Sequence, residues 1–269
     1  TWPTFDRPIL MSNTPVDLSS TVVGDGPPLL IIHGLFGQAK NWGALIKRFS
    51  QDFTVHAVDL RNHGQSPHAS PMTYPAMAAD IAHYLAKHKL IDPAIIGHSM
   101  GGKAAMLLAL QQPDLIARLI IADIAPIAYD HDFTEHFDAM TTLDLNALGN
   151  RQEADQAMAA RIGDPMVRAF LLSNLVRDGQ AGWRWLINLP ELRDCMAAIT
   201  GWPDVVDGAY DRPSLFLRGA HSDYLTDDMT PIINGLFSNA HHDRIEKAGH
   251  WLHADQPDAF AKRCLAFLS

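Results

Sequence analysis

The sequence predicts an α/β protein with a mostly parallel sheet flanked by helices. Two observations lead to this class: short apolar segments with few charges recur along the chain, and helix-length segments separate them. A short, continuous apolar run is typical of a strand that is buried on both faces. Regular alternation of such strands with helices indicates parallel strands joined by helical crossovers. With 47% hydrophobic residues in a chain of 269, we expect one large core.

The predicted strands and helices alternate over most of the chain. Strands are expected at residues 29–32, 55–58, 94–96, 119–122, 215–217 and 244–246. Helices are expected at residues 42–49, 74–89, 101–112 and 257–268. The first and last helical segments are apolar on one side only, which predicts that each covers a face of the sheet.

One interval, residues 127–212, interrupts this alternation. It contains no clear strand, and helices are predicted at 133–143, 152–162, 165–176 and 189–199. We therefore expect an α/β core of residues 1–126 and 213–269, with an all-helical lid at 127–212 inserted before the last two strands. An insertion at the carboxyl ends of parallel strands lies where ligands bind, so the lid is expected to cover a site. The alternative is a packing subdomain with no gating role.

Composition and charge exclude several classes of protein. Thirty acidic residues against 21 Lys and Arg give a net charge of −9, so we expect no nucleic-acid partner. No apolar stretch reaches the ~18–20 residues that cross a bilayer, so no membrane span is expected. Cys195 and Cys264 lack the spacing of a metal or redox pair, which favours free thiols and a cytoplasmic location.

The sharpest motif is Gly-x-Ser-x-Gly at residues 97–101, which follows a predicted strand and precedes a predicted helix. This order is typical of a nucleophile elbow, a strained turn that exposes its serine, here Ser99. The overlapping pattern Gly-x-x-x-x-Gly-Lys is also that of a phosphate loop, but Ala104 lacks the hydroxyl that such a loop needs for Mg²⁺. We therefore interpret Ser99 as a nucleophile and Lys103 as an ordinary helical residue.

A serine hydroxyl becomes a good nucleophile only when a base accepts its proton. His250 lies between the last predicted strand and the final helix, which fits the chain order of nucleophile, acid and base that accompanies such elbows. Two carboxylates precede it and could orient its ring: Asp123 after the strand at 119–122, and Asp223 after the strand at 215–217. The hydroxyl of Ser222 could assist as a hydrogen-bonding group.

The negative charge that develops on a substrate oxygen needs two preset donors. The backbone N–H of Met100, directly after the nucleophile, is expected to supply one. The other is expected from the glycine-rich loop after the first long strand, with Leu35 preferred and Phe36 as the alternative. We interpret His33 and His63 as residues that hold this loop in place.

Apolar residues of the lid and of the loop after the first long strand are candidates for a substrate pocket. The expected wall consists of Phe36, Phe170, Leu171, Trp183, Trp185 and Leu186. Packing of the lid against the core explains the lid residues equally well. The polar run with Asp130, His131, Asp132 and His136 is interpreted as solvated lid surface, and no metal or other cofactor is expected.

Taken together, these motifs resemble the α/β-hydrolase superfamily over nearly the whole chain. In particular, the chain resembles the small bacterial acyl-ester and acyl-CoA esterases and their mitochondrial hydrolase relatives. The resemblance rests on residues 33–37, 59–64, 74–78, 97–103 and 123–126. It implies an α/β-hydrolase fold and a catalytic site of Ser99, Asp123 and His250 with Ser222 assisting. Many relatives carry the acid where Ser222 stands here, so Asp223 remains an alternative acid.

The expected function is that of a serine hydrolase which cleaves carboxylic esters, or thioesters, through an acyl-enzyme. Its partner is expected to be a small-molecule acyl ester or thioester with a short to medium acyl chain. Two alternatives stay open on the same fold. One is another chemistry of these enzymes, perhydrolysis or hydrolysis of a carbon–carbon bond, and the other is a non-catalytic ligand receptor.

Overall fold

The computed structural model describes residues 14–179, 182–203 and 208–269 of the chain. The strands are β1 (Ser20–Val23), β2 (Pro28–Ile32), β3 (Thr54–Val58), β4 (Ala94–His98), β5 (Arg118–Ala122), β6 (Leu175–Arg177), β7 (Trp183–Trp185), β8 (Ser214–Gly219) and β9 (Ala240–Ile245). The helices are α1 (Gly43–Phe49), α2 (Tyr74–Lys87), α3 (Met100–Gln111), α4 (Thr134–Thr141), α5 (Arg151–Met158), α6 (Pro165–Leu172), α7 (Leu189–Asp194), α8 (Met196–Thr200), α9 (Thr230–Leu236), α10 (Leu252–Asp255) and α11 (Pro257–Leu268). None of these described helices is both long enough and apolar enough to cross a membrane.

Within the described residues, seven strands form one sheet in the order β1-β3-β2-β4-β5-β8-β9. All neighbouring strands run parallel except β1, which pairs antiparallel with β3 at one edge. The prediction of a mostly parallel sheet flanked by helices is confirmed. Strand β1 has no counterpart in the prediction, because it lies at the sheet edge with Val22 and Val23 exposed and forms no buried apolar run.

The central strands send alternate side chains into two different hydrophobic layers. In β2, Leu30 and Ile32 pack with residues of α2 and α3, whereas Leu29 and Ile31 pack with residues of α1 and α11. These side chains are almost completely shielded from solvent. Burial on both faces explains why the strands are continuous apolar runs in the sequence.

Parallel strands bring their following loops to one edge of the sheet. The loops after β2, β4, β5, β8 and β9 carry, in that order, Leu35, Ser99, Asp123, Ser222 and His250. Residues far apart in the chain therefore meet at the carboxyl edge, where ligands bind in sheets of this kind.

The insertion between β5 and β8 contains helices α4 to α8 and, among its described residues, an antiparallel hairpin of β6 and β7. The prediction of an all-helical insertion is therefore wrong, and the helix expected at 165–176 ends before β6 begins. Gly179 and Gly182 have φ angles of 54° and 98°, which lets the chain turn back between the two strands. The guanidinium of Arg177 lies 4.4 Å from the ring centre of Trp183 across the hairpin.

Buried amide side chains attach this insertion to the loop after β2. Asn174 donates from Nδ2 to the carbonyl of Phe36 at 2.7 Å, and Gln38 donates from Nε2 to Ser173 Oγ at 3.1 Å. The loop that carries Leu35 is thus held by hydrogen bonds to the insertion and by its connection to strand β2 of the sheet.

Candidate active site

The turn between β4 and α3 holds Ser99 in a left-handed conformation, with φ at 51° and ψ at −121°. Such a backbone is unfavourable for a residue with a side chain and persists only when the surrounding structure enforces it. A Cβ atom on Gly97 would lie 2.7 Å from the carbonyl oxygen of Gly101, and one on Gly101 would lie 2.4 Å from the carbonyl oxygen of His33. Only glycine fits at these two positions, which explains the motif around the serine.

A chain of hydrogen bonds joins the serine to a buried carboxylate. His250 Nε2 lies 3.0 Å from Ser99 Oγ, and His250 Nδ1 lies 2.8 Å from Asp123 Oδ2. The carboxylate can only accept from Nδ1–H, so Nε2 is the acceptor for the serine hydroxyl. Asp123 is completely buried, whereas the side chain of Asp223 is exposed and makes no hydrogen bond to His250 in the described structure.

Asp123 receives two further hydrogen bonds that fix its orientation. The backbone N–H of Gly219 donates to Oδ1 at 2.9 Å, and the hydroxyl of Ser222 donates to Oδ2 beside His250. Ser222 Oγ also accepts from the backbone N–H of Tyr224 at 3.2 Å. The carboxylate of Asp123 therefore has three donors: His250 Nδ1, the N–H of Gly219 and the hydroxyl of Ser222.

Burial favours the neutral form of both His250 and Asp123, which shifts their pKa values in opposite directions. It lowers the pKa of His250, and the nearby His131 lowers it further, while Asp223 raises it. A neutral ring is the form that can accept a proton from Ser99. Burial raises the pKa of Asp123, and the hydrogen bonds from Ser222 and Gly219 counteract that rise.

Within the part of the chain that the structure describes, two backbone N–H groups near Ser99 have no acceptor and can donate to a bound oxygen atom. Met100 is the first residue of α3, so its N–H has no acceptor inside the helix. The N–H of Leu35 has no acceptor among the described residues, whereas that of Phe36 donates to His63 Nε2 at 3.2 Å. The pair expected from the sequence, Leu35 and Met100, therefore fits better than the alternative with Phe36.

The two histidines of this region hold the loop, as interpreted from the sequence. His33 accepts from the N–H of Leu60 at 3.0 Å and donates to the carbonyl of Gly34 at 2.8 Å. His63 donates from Nδ1 to the carbonyl of Arg61 at 3.0 Å. Burial lowers the pKa of His33 to about 4 and that of His63 to about 3, so both rings are neutral when they make these bonds.

Sequence reasoning missed the residues that surround the histidine. The ring of Tyr224 stacks on that of His250, with centroids 3.5 Å apart and planes 19° apart. His98 donates from Nε2 to the backbone carbonyl of His250 at 2.8 Å. The hydroxyl of Tyr129 accepts from the N–H of Ala125 and donates to the carbonyl of Tyr224. These contacts link distant loops, and no local pattern in the sequence signals them.

Lys103 is not the ordinary helical residue that the sequence indicates. It is 1% exposed, and its Nζ donates to the carbonyl oxygens of Thr200 and Gly201 at 3.0 and 2.7 Å. Nζ also lies 4.7 Å from the ring centre of Tyr129. Desolvation lowers the pKa of Lys103 to about 7. The side chain ties the end of α8, and with it the insertion, to the helix that follows Ser99.

A cavity of about 510 Å³ opens beside Ser99 and His250. Three of the six expected wall residues line it: Phe36, Phe170 and Leu171. His131, Asp132 and His136 line it too, although the sequence places them on solvated lid surface.

The other half of the expected wall needs correction. Trp183, Trp185 and Leu186, in and directly after strand β7, do not line this cavity and pack in other places. Trp183 donates from Nε1 to the carbonyl of Leu148, Trp185 lines a separate groove, and Leu186 is buried in the insertion. An aromatic residue in an insertion is thus a weak predictor of a pocket wall, since packing within the insertion uses the same residue types.

Comparison with known proteins adds an independent observation. The family model described as alpha/beta hydrolase fold matches residues 27–257. The Danio rerio protein named sn-1-specific diacylglycerol lipase ABHD11 is 38% identical over 95% of this chain and 83% of its own length. The Escherichia coli (strain K12) protein named Esterase YbfF is 37% identical over 90% of this chain and 93% of its own length. A solved structure named Marine microorganism esterase has a TM-score of 0.91 and 37% identity, over 94% of this chain and 99% of that one.

The chain therefore belongs to the α/β-hydrolase family. The family model spans both the turn at Ser99 and the loop at His250. The resemblance inferred from the motifs, including the likeness to esterases, is confirmed by these relatives.

Proposed function

We propose that Ser99, His250 and Asp123 cleave small-molecule carboxylic esters or thioesters through an acyl-enzyme, with Ser222 assisting. The chain is a serine ester hydrolase, as relatives named esterase and lipase support. The observation that carries the residue assignment is the continuous hydrogen-bond chain from Ser99 Oγ through His250 to Asp123 beside a large cavity.

Acylation begins when Ser99 Oγ attacks the carbonyl carbon of the ester and its proton passes to His250 Nε2. The electron pair of the C=O double bond moves to the oxygen, which becomes an oxyanion. The N–H groups of Leu35 and Met100 donate to that oxyanion. Each donor of this kind is worth about 3 kcal/mol in the transition state.

The tetrahedral intermediate then loses its leaving group. The bond from carbon to the alcohol oxygen, or to the thiol sulfur, breaks as His250 Nε2 gives its proton to that atom. The acyl group remains on Ser99. A water molecule then attacks the acyl carbon and gives a proton to His250 Nε2, which forms a second tetrahedral intermediate. The bond between the acyl carbon and Ser99 Oγ breaks as His250 returns that proton to Oγ, and the carboxylic acid leaves.

Asp123 supports both halves of this cycle without taking the proton itself. It keeps His250 in the tautomer with hydrogen on Nδ1 and stabilises the positive ring that forms. The hydrogen bonds from Ser222 and Gly219 hold the carboxylate beside His250 Nδ1.

We assign residues 127–212 the role of a lid over the cavity, and residues 1–126 and 213–269 that of the core. Phe170 and Leu171 from the insertion contribute apolar wall to the cavity, which supports this role. We further assign the protein to a reducing compartment, the cytoplasm, in keeping with the free thiols of Cys195 and Cys264.

Hydrolysis of p-nitrophenyl acetate and butyrate tests the proposal. Wild type is compared with Ser99→Ala and with Ser238→Ala, which removes an exposed hydroxyl far from the site. We expect Ser99→Ala to lower kcat at least about 1,000-fold, whereas Ser238→Ala should leave it unchanged. A kcat in Ser99→Ala close to that of wild type would contradict the assignment of the nucleophile. No turnover by wild type on either ester would favour a ligand receptor.

A further inference from the structure

Two cavities of very different size are both lined by Ser99. The large one has a volume of about 510 Å³, and the small one has a volume of about 30 Å³. Leu35 also lines both cavities, so the two substituents of a carbonyl carbon bonded to Ser99 Oγ have two different spaces to extend into. Which part of the substrate enters which cavity then decides the substrate class.

The residues that line each cavity indicate which part of the substrate it binds. The leaving-group atom must reach His250 Nε2 to receive its proton, and His250 lines the large cavity but not the small one. Met100, one of the two proposed oxyanion donors, lines only the small cavity. The leaving group therefore belongs in the large cavity, and the acyl chain extends past Met100 into the small one.

The volume of the small cavity limits the length of an acyl chain that can enter it. A space of about 30 Å³ accommodates one or two groups the size of a water molecule, which is the size of a methyl or an ethyl group.

The back of the small cavity is also held rigidly. Lys103 donates to the carbonyls of Thr200 and Gly201, and the hydroxyl of Tyr74 donates to the carbonyl of Ile199. A wall tied by these buried hydrogen bonds does not yield easily to a longer chain.

The large cavity suits a bulky and mainly apolar group. Its apolar lining includes Phe36, Val167, Phe170, Leu171 and Trp251, and its polar lining includes Asp132. A single methyl or ethyl alcohol would leave most of this space unfilled and would bury little of its wall.

We infer that the preferred substrates are acetyl or propionyl esters, or thioesters, of bulky and largely apolar alcohols or thiols. This inference rests on the proposed function and narrows its acyl range to the shortest chains. It assigns selectivity for the acyl group to the small cavity and selectivity for the leaving group to the large one.

A pair of isomeric esters tests the inference without a difference in overall hydrophobicity. Hexyl acetate has the short acyl group and the long alcohol, whereas ethyl hexanoate has the reverse arrangement and the same formula. We expect kcat/KM for hexyl acetate to be at least about tenfold higher, since added methylenes without room to bind are rejected by about that factor. The rates are measured by titration of the released acid, with p-nitrophenyl acetate as the check for active enzyme.

The outcomes separate this inference from the function on which it rests. Equal rates, or a preference for ethyl hexanoate, overturn the inference and leave the esterase intact. Cleavage of p-nitrophenyl acetate with neither isomer cleaved also overturns it, because hexyl acetate meets both size requirements. Failure of the Ser99-dependent reaction with every ester defeats the proposed function itself.

Variants in the two walls provide a second test. Ile199 lines only the small cavity, and Val167 lines only the large one. Ile199→Ala should raise kcat/KM for ethyl butyrate relative to ethyl acetate by at least about fivefold, because it adds room for two or three carbon atoms. Ile199→Val should act in the same direction with less cost to folding. Val167→Ala, the matched control, should leave this ratio unchanged, and an equal change in both variants would contradict the assignment.

Discussion

The exchange of Asp123 for asparagine probes the hydrogen-bond chain at its buried end. The substitution keeps the size of the side chain, and asparagine tolerates the φ angle of 57° found at this position. An amide cannot replace both acceptor oxygens of the carboxylate, because one of its two ends is a donor. With its oxygen toward Gly219 N–H, its NH₂ group faces His250 Nδ1 and the Ser222 hydroxyl. With the amide reversed, the NH₂ group faces the N–H of Gly219 instead.

In the first orientation, His250 must give up the hydrogen on Nδ1 and carry it on Nε2, where it can no longer accept the proton of Ser99. Loss of the correct tautomer lowers kcat by about 10⁴-fold in a serine site of this geometry, which corresponds to about 5 kcal/mol in the barrier. In the second, two donors face each other in a buried place at a cost of about 1–3 kcal/mol. We therefore expect Asp123→Asn to fold with reduced stability and to lose nearly all activity.

Asp223→Asn is the matched control. Its side chain is exposed and influences His250 only through its charge, so we expect kcat to change by no more than about threefold. Both variants are assayed for kcat with p-nitrophenyl acetate, and thermal unfolding confirms that each is folded. A folded Asp123→Asn variant with near wild-type kcat, or a larger loss in Asp223→Asn, would refute the reasoning.

Three further changes test the surroundings of the site. Ser222→Ala removes a hydrogen bond to a charged carboxylate and should lower kcat about tenfold or more; an unchanged kcat would show that the hydroxyl does not assist. Tyr224→Leu removes the ring face that stacks on His250 and should lower kcat about three- to thirtyfold, whereas Tyr224→Phe should retain activity; equal losses would point to the hydroxyl instead. Burial lowers the pKa of Lys103 from 10.5 to about 7, so between those values the unfolded chain binds more protons and stability rises with pH. Lys103→Met should flatten that rise in urea unfolding measured at both ends of the range, and an unaltered slope would contradict a buried, readily deprotonated amine.

The features that the sequence predicts correctly are those encoded over short distances. A strand buried on both faces is a continuous apolar run, so the parallel strands of the core are visible in the sequence. The turn at Ser99 needs glycine at two defined places for steric reasons, so a five-residue motif identifies it. Chain order predicts a histidine near Ser99, and His250 Nε2 lies 3.0 Å from Ser99 Oγ, while its role as the base stays a prediction.

The features that escape sequence reasoning depend on contacts between distant segments. Strand β1 is an exposed edge strand, and the hairpin of β6 and β7 is too short to show a clear alternation. The stacking of Tyr224 on His250 and the burial of Lys103 join residues that are separated by 26 and by about a hundred positions respectively. Whether Trp183 lines the cavity or packs inside the insertion depends on how the hairpin of β6 and β7 is oriented, which no local pattern encodes.

Covalent labelling identifies the nucleophilic serine directly. A fluorophosphonate that reacts with activated serines is applied to the folded protein, and the labelled peptide is identified by mass spectrometry. We expect one label, on the peptide that contains Ser99, with labelling lost in Ser99→Ala and strongly slowed in Asp123→Asn. A label on another serine, or a wild-type protein that stays unlabelled under conditions where it is active, would contradict this expectation.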